Sequence, residues 1–324
     1  MPWSFSPVTR PTSSANRTTR SGTVDFPSGG VRGLFRLLIG RGGAVLSPTP
    51  RRRLRPVPLP LDPVALDALV ARLRAAGCVF AEDEAALLTA EAADAGALER
   101  MTSRRVAGEP LEQVVGWAVF RGLRVAVEPG VFVPRARTGL LVAEALAVLA
   151  ALPADGTVVD LCCGSGAVGL ALATERPGTR LWAADLDPVA VGCARRNLGG
   201  LGEVLLGDLD SPLPSALAGR VDVLVANAPY VPTDEIAHMP PEARDHEPRT
   251  ALDGGPDGVD LHRRIAAAAP RWLAPGGHLL IETSVRQAGS TAAACEGQGL
   301  AVRVVHDDEV DGTVVVARRR ASGS

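Results

Sequence analysis

Val158-Val159-Asp160-Leu161-Cys162-Cys163-Gly164-Ser165-Gly166 joins an apolar, β-branched run to a glycine turn, and Ala167–Glu175 beyond it keeps helical composition. The run is too short for a buried helix and is bounded by glycine, so it predicts a buried strand that turns sharply into a helix. Glycine lets the backbone pass close beneath a ligand and leaves N–H groups free to face it. Gly164–Gly169 also fits the pattern G-x-G-x-x-G. A turn of this kind holds many nucleotide-like ligands, so it points to an architecture before it points to a chemistry.

The pattern around it repeats. Downstream, strands are predicted at Thr157–Cys162, Arg180–Ala184, Val204–Leu206, Val221–Ala226 and His278–Glu282, with helices at Ala167–Glu175, Pro188–Asn197, Val259–Trp272 and Val285–Glu296. This alternation predicts a parallel sheet covered on both faces. Leu300–His306 and Thr313–Arg318 are joined by only Asp307–Gly312, too short for a parallel crossover, so the sheet should close with an antiparallel hairpin. Upstream, Asp62 caps a helix opened by Pro63, with Val64, Leu66, Leu69, Val70 and Leu73 at helical spacing until Gly77. Further helices are expected over Glu82–Ala95 and Ala97–Val106, and a β-hairpin over Trp117–Val127 around Arg121-Gly122. The expected organisation is a disordered basic tail (1–57), a small helical substrate-recognition domain (58–108), a β-hairpin linker (109–130) and an α/β domain with a Rossmann-like sheet (131–324).

Charge narrows the partners. The formal net charge is -2, but residues 1–60 hold ten Arg and one acid, leaving a net of -11 on the rest. All 34 basic residues are Arg. An acidic body disfavours direct nucleic-acid binding, because affinity for a phosphate backbone comes from displacing counterions with basic side chains. The partner class that remains is a protein or small-molecule substrate. The five cysteines show neither a CxxC pair nor zinc-like spacing, which predicts free thiols, no metal site and a cytoplasmic protein; no apolar run approaches a membrane span.

Candidate cofactor residues follow the strand ends. Asp160, just before the turn, is placed to orient a ligand amine. Cys162, Cys163, Gly164, Ser165 and Gly166 would meet the ligand with backbone, the two thiols reading as small turn residues rather than redox or metal groups. Asp185 ends the second strand, 19 residues past Gly166; a carboxylate there takes both ribose hydroxyls, a feature shared by NAD and S-adenosylmethionine. Asp208 is placed to accept from an adenine amine, with Leu209 against the ring.

Asn227-Ala228-Pro229-Tyr230 separates those two cofactors. It follows the fourth strand at the carboxyl edge, where ligands bind in such sheets. An amide nitrogen is a poor nucleophile because its lone pair is delocalised. Two acceptors, the Asn227 side-chain oxygen and the Ala228 carbonyl, can hold both N–H bonds and turn the lone pair toward a methyl donor. Pro229 keeps the preceding residue extended, and Tyr230 offers a flat face. Such orientation supplies at best about 7–11 kcal/mol of a barrier. A dehydrogenase has no use for this tetrad. The reading is therefore S-adenosylmethionine-dependent methyl transfer to a planar nitrogen, with Asn227 also touching the cofactor. A nucleic-acid base amine is the alternative acceptor, which would need a basic groove and room for a flipped base; a non-catalytic S-adenosylmethionine-binding protein is the other alternative, against which the intact tetrad counts.

With these residues in place, the chain from about Glu109 onward resembles the HemK/PrmC family of protein-(glutamine-N5) methyltransferases. The resemblance is carried by Glu109–Gly116, Phe120-Arg121-Gly122-Leu123, Val133-Pro134-Arg135, the glycine turn, Asn227–Tyr230 and the family-specific stretch Glu247–Gly258. It implies a seven-stranded methyltransferase sheet with the antiparallel C-terminal hairpin, S-adenosylmethionine as cofactor, contacts to it at Cys162–Gly166, Asp185, Leu209 and Asn227, and a glutamine of a peptide-chain release factor as substrate at Asn227–Tyr230. Three features depart from the family. Ala228 stands where Asn-Pro-Pro-Tyr has its first Pro, Pro134–Gly139 lacks the final carboxylate of PRPxTE, and the helical segment is short.

Overall fold

The computed structural model describes residues 59–321; the basic segment 1–57, expected to be disordered, lies outside them. Helices α1 (Pro63–Ala75), α2 (Ala81–Glu91) and α3 (Ala95–Val106) come first. The Asp62 carboxylate accepts from Ala65 N at 2.8 Å with Pro63 at the first position, and Gly77 follows the last turn at φ +91°. The second helix ends four residues before the expected Ala95, because Asp94 caps a new one by accepting from Ala97 N at 2.6 Å. Leu69, Leu73, Leu88 and Leu98 form an apolar cluster of their own. Beneath it Arg105, almost wholly buried, pairs with Glu84 of α2 at 2.6 Å.

A one-turn helix α4 (Leu111–Val115) leads into the hairpin of β1 (Trp117–Phe120) and β2 (Leu123–Ala126). Its two central residues, Arg121 and Gly122, both have positive φ, the geometry that matches the twist of paired strands. Next comes α5 (Gly139–Ala150), a helix the sequence pattern did not signal. Gly-Leu-Leu-Val-Ala-Glu-Ala-Leu-Ala-Val-Leu-Ala has one polar break, so its periodicity is flat although Leu141, Val142, Ala145 and Leu149 alone are fully buried.

The remaining elements are β3 (Thr157–Leu161), α6 (Ala167–Glu175), β4 (Arg180–Asp185), α7 (Pro188–Leu198), β5 (Gly202–Leu206), β6 (Val221–Ala226), α8 (Pro241–His246), α9 (Asp260–Trp272), β7 (Leu273–Thr283), α10 (Ala288–Glu296), β8 (Ala301–Asp307) and β9 (Gly312–Arg318). The strands form one sheet in the order β5-β4-β3-β6-β7-β9-β8. The first five are parallel, while β9 runs antiparallel to both β7 and β8. This is the seven-stranded methyltransferase sheet with its closing hairpin.

Two apolar clusters cover the two faces. One packs α5, α6 and α7 on the sheet; the other packs α9 and α10. The chain order reverses at the boundary between β3 and β6, so the ends of those strands open a crevice. The register pairs Ala226 with Ile281, which brings the next residues, Asn227 and Glu282, side by side at its rim.

The turn after β3 is held tightly against α7. Gly166 caps α6 at φ +76°, and a Cβ there would stand 3.1 Å from the Ala194 Cβ. Gly166→Ala should therefore lower stability by about 1–2 kcal/mol from the left-handed backbone alone, measurable as a drop in the urea midpoint.

Candidate active site

A cleft of about 460 Å³ opens at the carboxyl ends of β3, β4 and β6. Every residue singled out from the sequence lines it: Asp160, Cys162 to Ser165, Asp185, Asp208, Leu209 and Asn227 to Tyr230, save Gly166, which lies behind the turn and packs on α7. The cleft falls within the size range of small-molecule sites.

At its inner end the glycine turn meets β4. Gly164 has φ +54°, and a Cβ on it would touch nothing within 4 Å, so the turn presents bare backbone to open space. Its N–H donates to Asp185 Oδ2 at 2.8 Å, and Asp187 N donates to Oδ1 at 2.9 Å. Asp185 is thus more engaged than its sequence context suggested. Burial raises its pKa, against the pull of those N–H donors. Asp160 Oδ2 accepts from Gly169 N at 3.0 Å, tying β3 to α6, and burial pushes its carboxyl from 3.8 up to about 7. Asp208 pairs with Arg264 of α9 at 2.6 Å, and Leu209, at φ +49°, lies buried in the wall. Cys162 adopts φ +56°, a left-handed conformation that costs a residue bearing a Cβ about 1–2 kcal/mol.

At the outer end, Asn227 Nδ2 donates to Thr138 Oγ1 at 3.3 Å. Among the described residues, neither Asn227 Oδ1 nor the Ala228 carbonyl accepts a hydrogen bond. Both belong to residues that line the cleft. Tyr230 is fixed from three sides. Its hydroxyl donates to Glu282 Oε1 at 3.4 Å, its carbonyl accepts from Gln287 Nε2 at 2.7 Å, and its ring stands 6.3 Å from that of His262. His262 is buried with its pKa depressed to about 4, so it stays neutral. Burial and the Glu282 charge push the Tyr230 hydroxyl up to about 12, keeping its proton in place.

The stretch Glu247–Gly258 forms a clamp behind this segment. Val231 N donates to Leu252 O and Gly254 N returns a bond to Val231 O, both at 2.9 Å. A Cβ on Gly254 would lie 2.7 Å from the Tyr230 Cα, so only glycine fits. Glu247 accepts from Val133 N and pairs with Arg135 at 2.5 Å, joining the clamp to the Val133–Arg135 stretch.

Sequence reasoning missed three groups here. Glu282 is 1% exposed, with Oε2 lacking any hydrogen bond. Burial raises its pKa, opposed by the Thr138 hydroxyl and the Arg137 guanidinium, whose Nε lies 3.5 Å away. Thr138 itself is buried at the end of the 3₁₀ turn Ala136–Thr138. The only signal for Glu282 was an acid at the end of an apolar strand, which gained meaning once the register set it beside Asn227. At Gly139, where the family keeps a carboxylate, the carbonyl accepts from Arg121 Nη1 at 3.1 Å, and Arg121 pairs with Glu175 instead.

A family model described as the methyltransferase small domain matches residues 122–239. The chain is 41% identical over 236 residues to the release factor glutamine methyltransferase of Mycolicibacterium smegmatis, covering 67% of this chain and 83% of that protein. It is 36% identical over 282 residues to the namesake in Cereibacter sphaeroides, covering 80% and 98%. The chain belongs to the release factor glutamine methyltransferase family. A third relative is named a 4-amino-L-phenylalanine/4-methylamino-L-phenylalanine methyltransferase, from Streptomyces pristinaespiralis, 39% identical with 60% of this chain and 68% of that protein covered. Among solved structures, the protein-(glutamine-N5) methyltransferase of Alicyclobacillus acidocaldarius is 26% identical over 60% of this chain and 98% of its own, at a TM-score of 0.38. Membership in this family agrees with the tetrad reading and removes the dehydrogenase alternative.

The buried carboxyl at the inner end gives a pH signature. The folded Asp160 pKa of about 7 exceeds the unfolded value near 3.9, so the native state holds the proton more tightly than the unfolded chain. Its stabilising contribution is complete below about pH 4 and is lost as pH rises through about 7. Asp160→Asn should flatten this part of the stability profile, in urea titrations of the cofactor-free protein from about pH 4 to about pH 8; an unchanged profile would place the Asp160 charge elsewhere.

Proposed function

We propose that this chain transfers a methyl group from S-adenosylmethionine to the side-chain amide nitrogen of a glutamine in a peptide-chain release factor. The observation that carries this reading is the pair of unbonded acceptors, Asn227 Oδ1 and the Ala228 carbonyl, beside a buried tyrosine in a cleft with a glycine turn at its other end. The donor supplies an electrophilic methyl carbon on a sulfonium.

The chain's own residues do the rest. Gly164 and its neighbours would present backbone to the donor, Asp185 would take the ribose hydroxyls, and Asp160 would face the amine. Asp208, with Leu209, would hold the adenine, its carboxylate shared with Arg264. This end of the cleft suits a cation, since its ligands are carboxylates and carbonyls.

At the other end, a primary amide has two N–H bonds and the site has two acceptors. When both are satisfied, the nitrogen lone pair stands out of the plane that holds them, and rotation about the C–N bond is arrested. Positive charge that develops on nitrogen is met by oxygens already in place, with no reorganisation at the moment of reaction. Ala228 leaves this intact because its contribution is a main-chain oxygen; its methyl group is buried. Tyr230, protonated and anchored, supplies a flat wall.

The protein substrate is supported by the relatives that share most of the chain's length, and α1–α3 are assigned to its recognition. The relative that acts on 4-amino-L-phenylalanine carries a planar amine as well, so the acceptor geometry alone serves either nitrogen. The five cysteines are free, which fits a cytoplasmic enzyme.

Incubation with S-adenosylmethionine and a purified release factor, followed by peptide mass spectrometry, should place one methyl group on a glutamine. Asn227→Ala should lower turnover by on the order of 10²–10³-fold, the cost of one lost transition-state hydrogen bond or more, while calorimetry shows cofactor affinity within about tenfold. Full turnover in that variant would remove Asn227 from the mechanism. Methylation of free 4-amino-L-phenylalanine in place of the release factor would reassign the substrate.

A further inference from the structure

The glycine turn has a back as well as a face toward the cleft. In a regular helix the Gly169 N–H would close the first turn on the Ser165 carbonyl, four residues earlier. Here it donates to Asp160 Oδ2 at 3.0 Å instead. The Ser165 carbonyl, in a residue only 3% exposed, must then find its donor elsewhere. Asn197, in the last turn of α7, supplies it: its Nδ2 donates to Ser165 O at 2.8 Å.

The same side chain reaches the hairpin. Asn197 Oδ1 accepts from Ala126 N at 2.8 Å, and Nδ2 donates to Ala126 O at 2.9 Å. Nδ2 also lies 3.8 Å from Cys193 Sγ. An asparagine amide has two N–H donors and one oxygen. A backbone N–H cannot accept and a carbonyl cannot donate, so these partners leave the amide a single orientation. Asn197 is buried and is not among the residues that line the cleft. It acts from behind the turn.

The peptide it holds has little steric reason to stay put. Gly166 sits at φ +76°, and glycine takes either sign of φ about as readily. The Ser165–Gly166 peptide is fixed by bonds at both of its polar ends instead. Gly166 N donates to Cys163 O at 2.7 Å, and the carbonyl accepts from Asn197. Rotation of this peptide would carry Gly164 and Ser165 with it, and both line the cleft. Asp185 holds the other side of the turn through Gly164 N.

We propose that Asn197 is a positioning residue for the cofactor: by holding the Ser165 carbonyl it fixes the backbone that the glycine turn offers to S-adenosylmethionine, and it ties that backbone to β2. The inference rests on the reading of this turn as the seat of the methyl donor, but it can fail separately.

Asn197→Leu keeps a similar size and removes all three bonds; Asn197→Ser removes them with a smaller side chain that leaves space for water. Cys193→Ala is the control. The Cys193 thiol donates to the same Ala126 carbonyl at 3.2 Å, from the same helix, without a bond to Ser165. Calorimetric titration with S-adenosylmethionine, without any acceptor, should show Kd raised about tenfold in Asn197→Leu and in the same direction in Asn197→Ser, the scale of one hydrogen bond. Cys193→Ala should bind as the parent does. With a purified release factor, KM for S-adenosylmethionine should rise with Kd, while kcat at saturating cofactor and KM for the release factor stay within about threefold. A purely structural defect would shrink the folded fraction, lowering kcat with the cofactor KM unmoved. Parental cofactor affinity in folded Asn197→Ser, or an equal loss in Cys193→Ala, would overturn the positioning role and leave the methyl-transfer reading standing. A parent protein that binds no S-adenosylmethionine would instead sink that reading.

Discussion

Two oxygen atoms at the end of β6 are held without hydrogen-bond partners in a cleft walled largely by protein. Leaving such groups unpaired costs roughly 1–3 kcal/mol each when water is excluded, and a free chain would relax to satisfy them. The surrounding structure prevents that relaxation. Pro229 has no N–H to fold back, Gln287 fixes the Tyr230 carbonyl, and the Leu252–Gly254 segment grips Val231 from behind. A Cβ at Gly254 would push the strand end out of place. The clamp stretch Glu247–Gly258 is therefore understood without assigning it any contact with substrate. It keeps two acceptors pointing where the fold alone would not leave them.

The cleft has two electrostatic characters. Its inner end collects Asp160, Asp185 and Asp208, with burial raising the first two and Arg264 paired to the third. Buried carboxylates gathered in this way cost stability, and a cation beside them would offset that cost. Its outer end is balanced: Arg135 answers Glu247, and Arg137 answers Glu282. A neutral amide can approach the outer end without meeting net charge. The division follows from the sheet, since the ends of β3, β4 and β5 supply the acids while β6 and β7 supply the acceptors and their support.

Most of this architecture was legible in the residues because strand, turn and helix signals fall in one order from Thr157 to Arg318. The antiparallel ending followed from a connection too short to cross over. What stayed hidden had physical causes. The helix Gly139–Ala150 carries alanine rather than polar residues on its exposed side, at Ala143, Ala147 and Ala150, so the amphipathic rhythm that marks a surface helix is missing. Glu282 looked like the end of a strand, because its importance depends on register across two strands 55 residues apart, which no local pattern encodes. Asp185 and Asp208 were found by their place at strand ends, but their existing partners, Gly164 N and Arg264, come from elsewhere in the chain. Local chemistry pointed to residues that share one cleft; only the fold told what else they hold.

The pair Cys162-Cys163 gains a meaning from the same carboxylates. Burial is the largest influence holding both thiols in the protonated state, and the charges of Asp160 and Asp185 add to it, with Asp208 also acting on Cys162. Thiolate, not thiol, is the form of cysteine that attacks carbon. A thiolate is also a far better nucleophile toward a sulfonium methyl group than a neutral amide nitrogen. The acids lining this end of the cleft thus also keep its two thiols in their less reactive, protonated form.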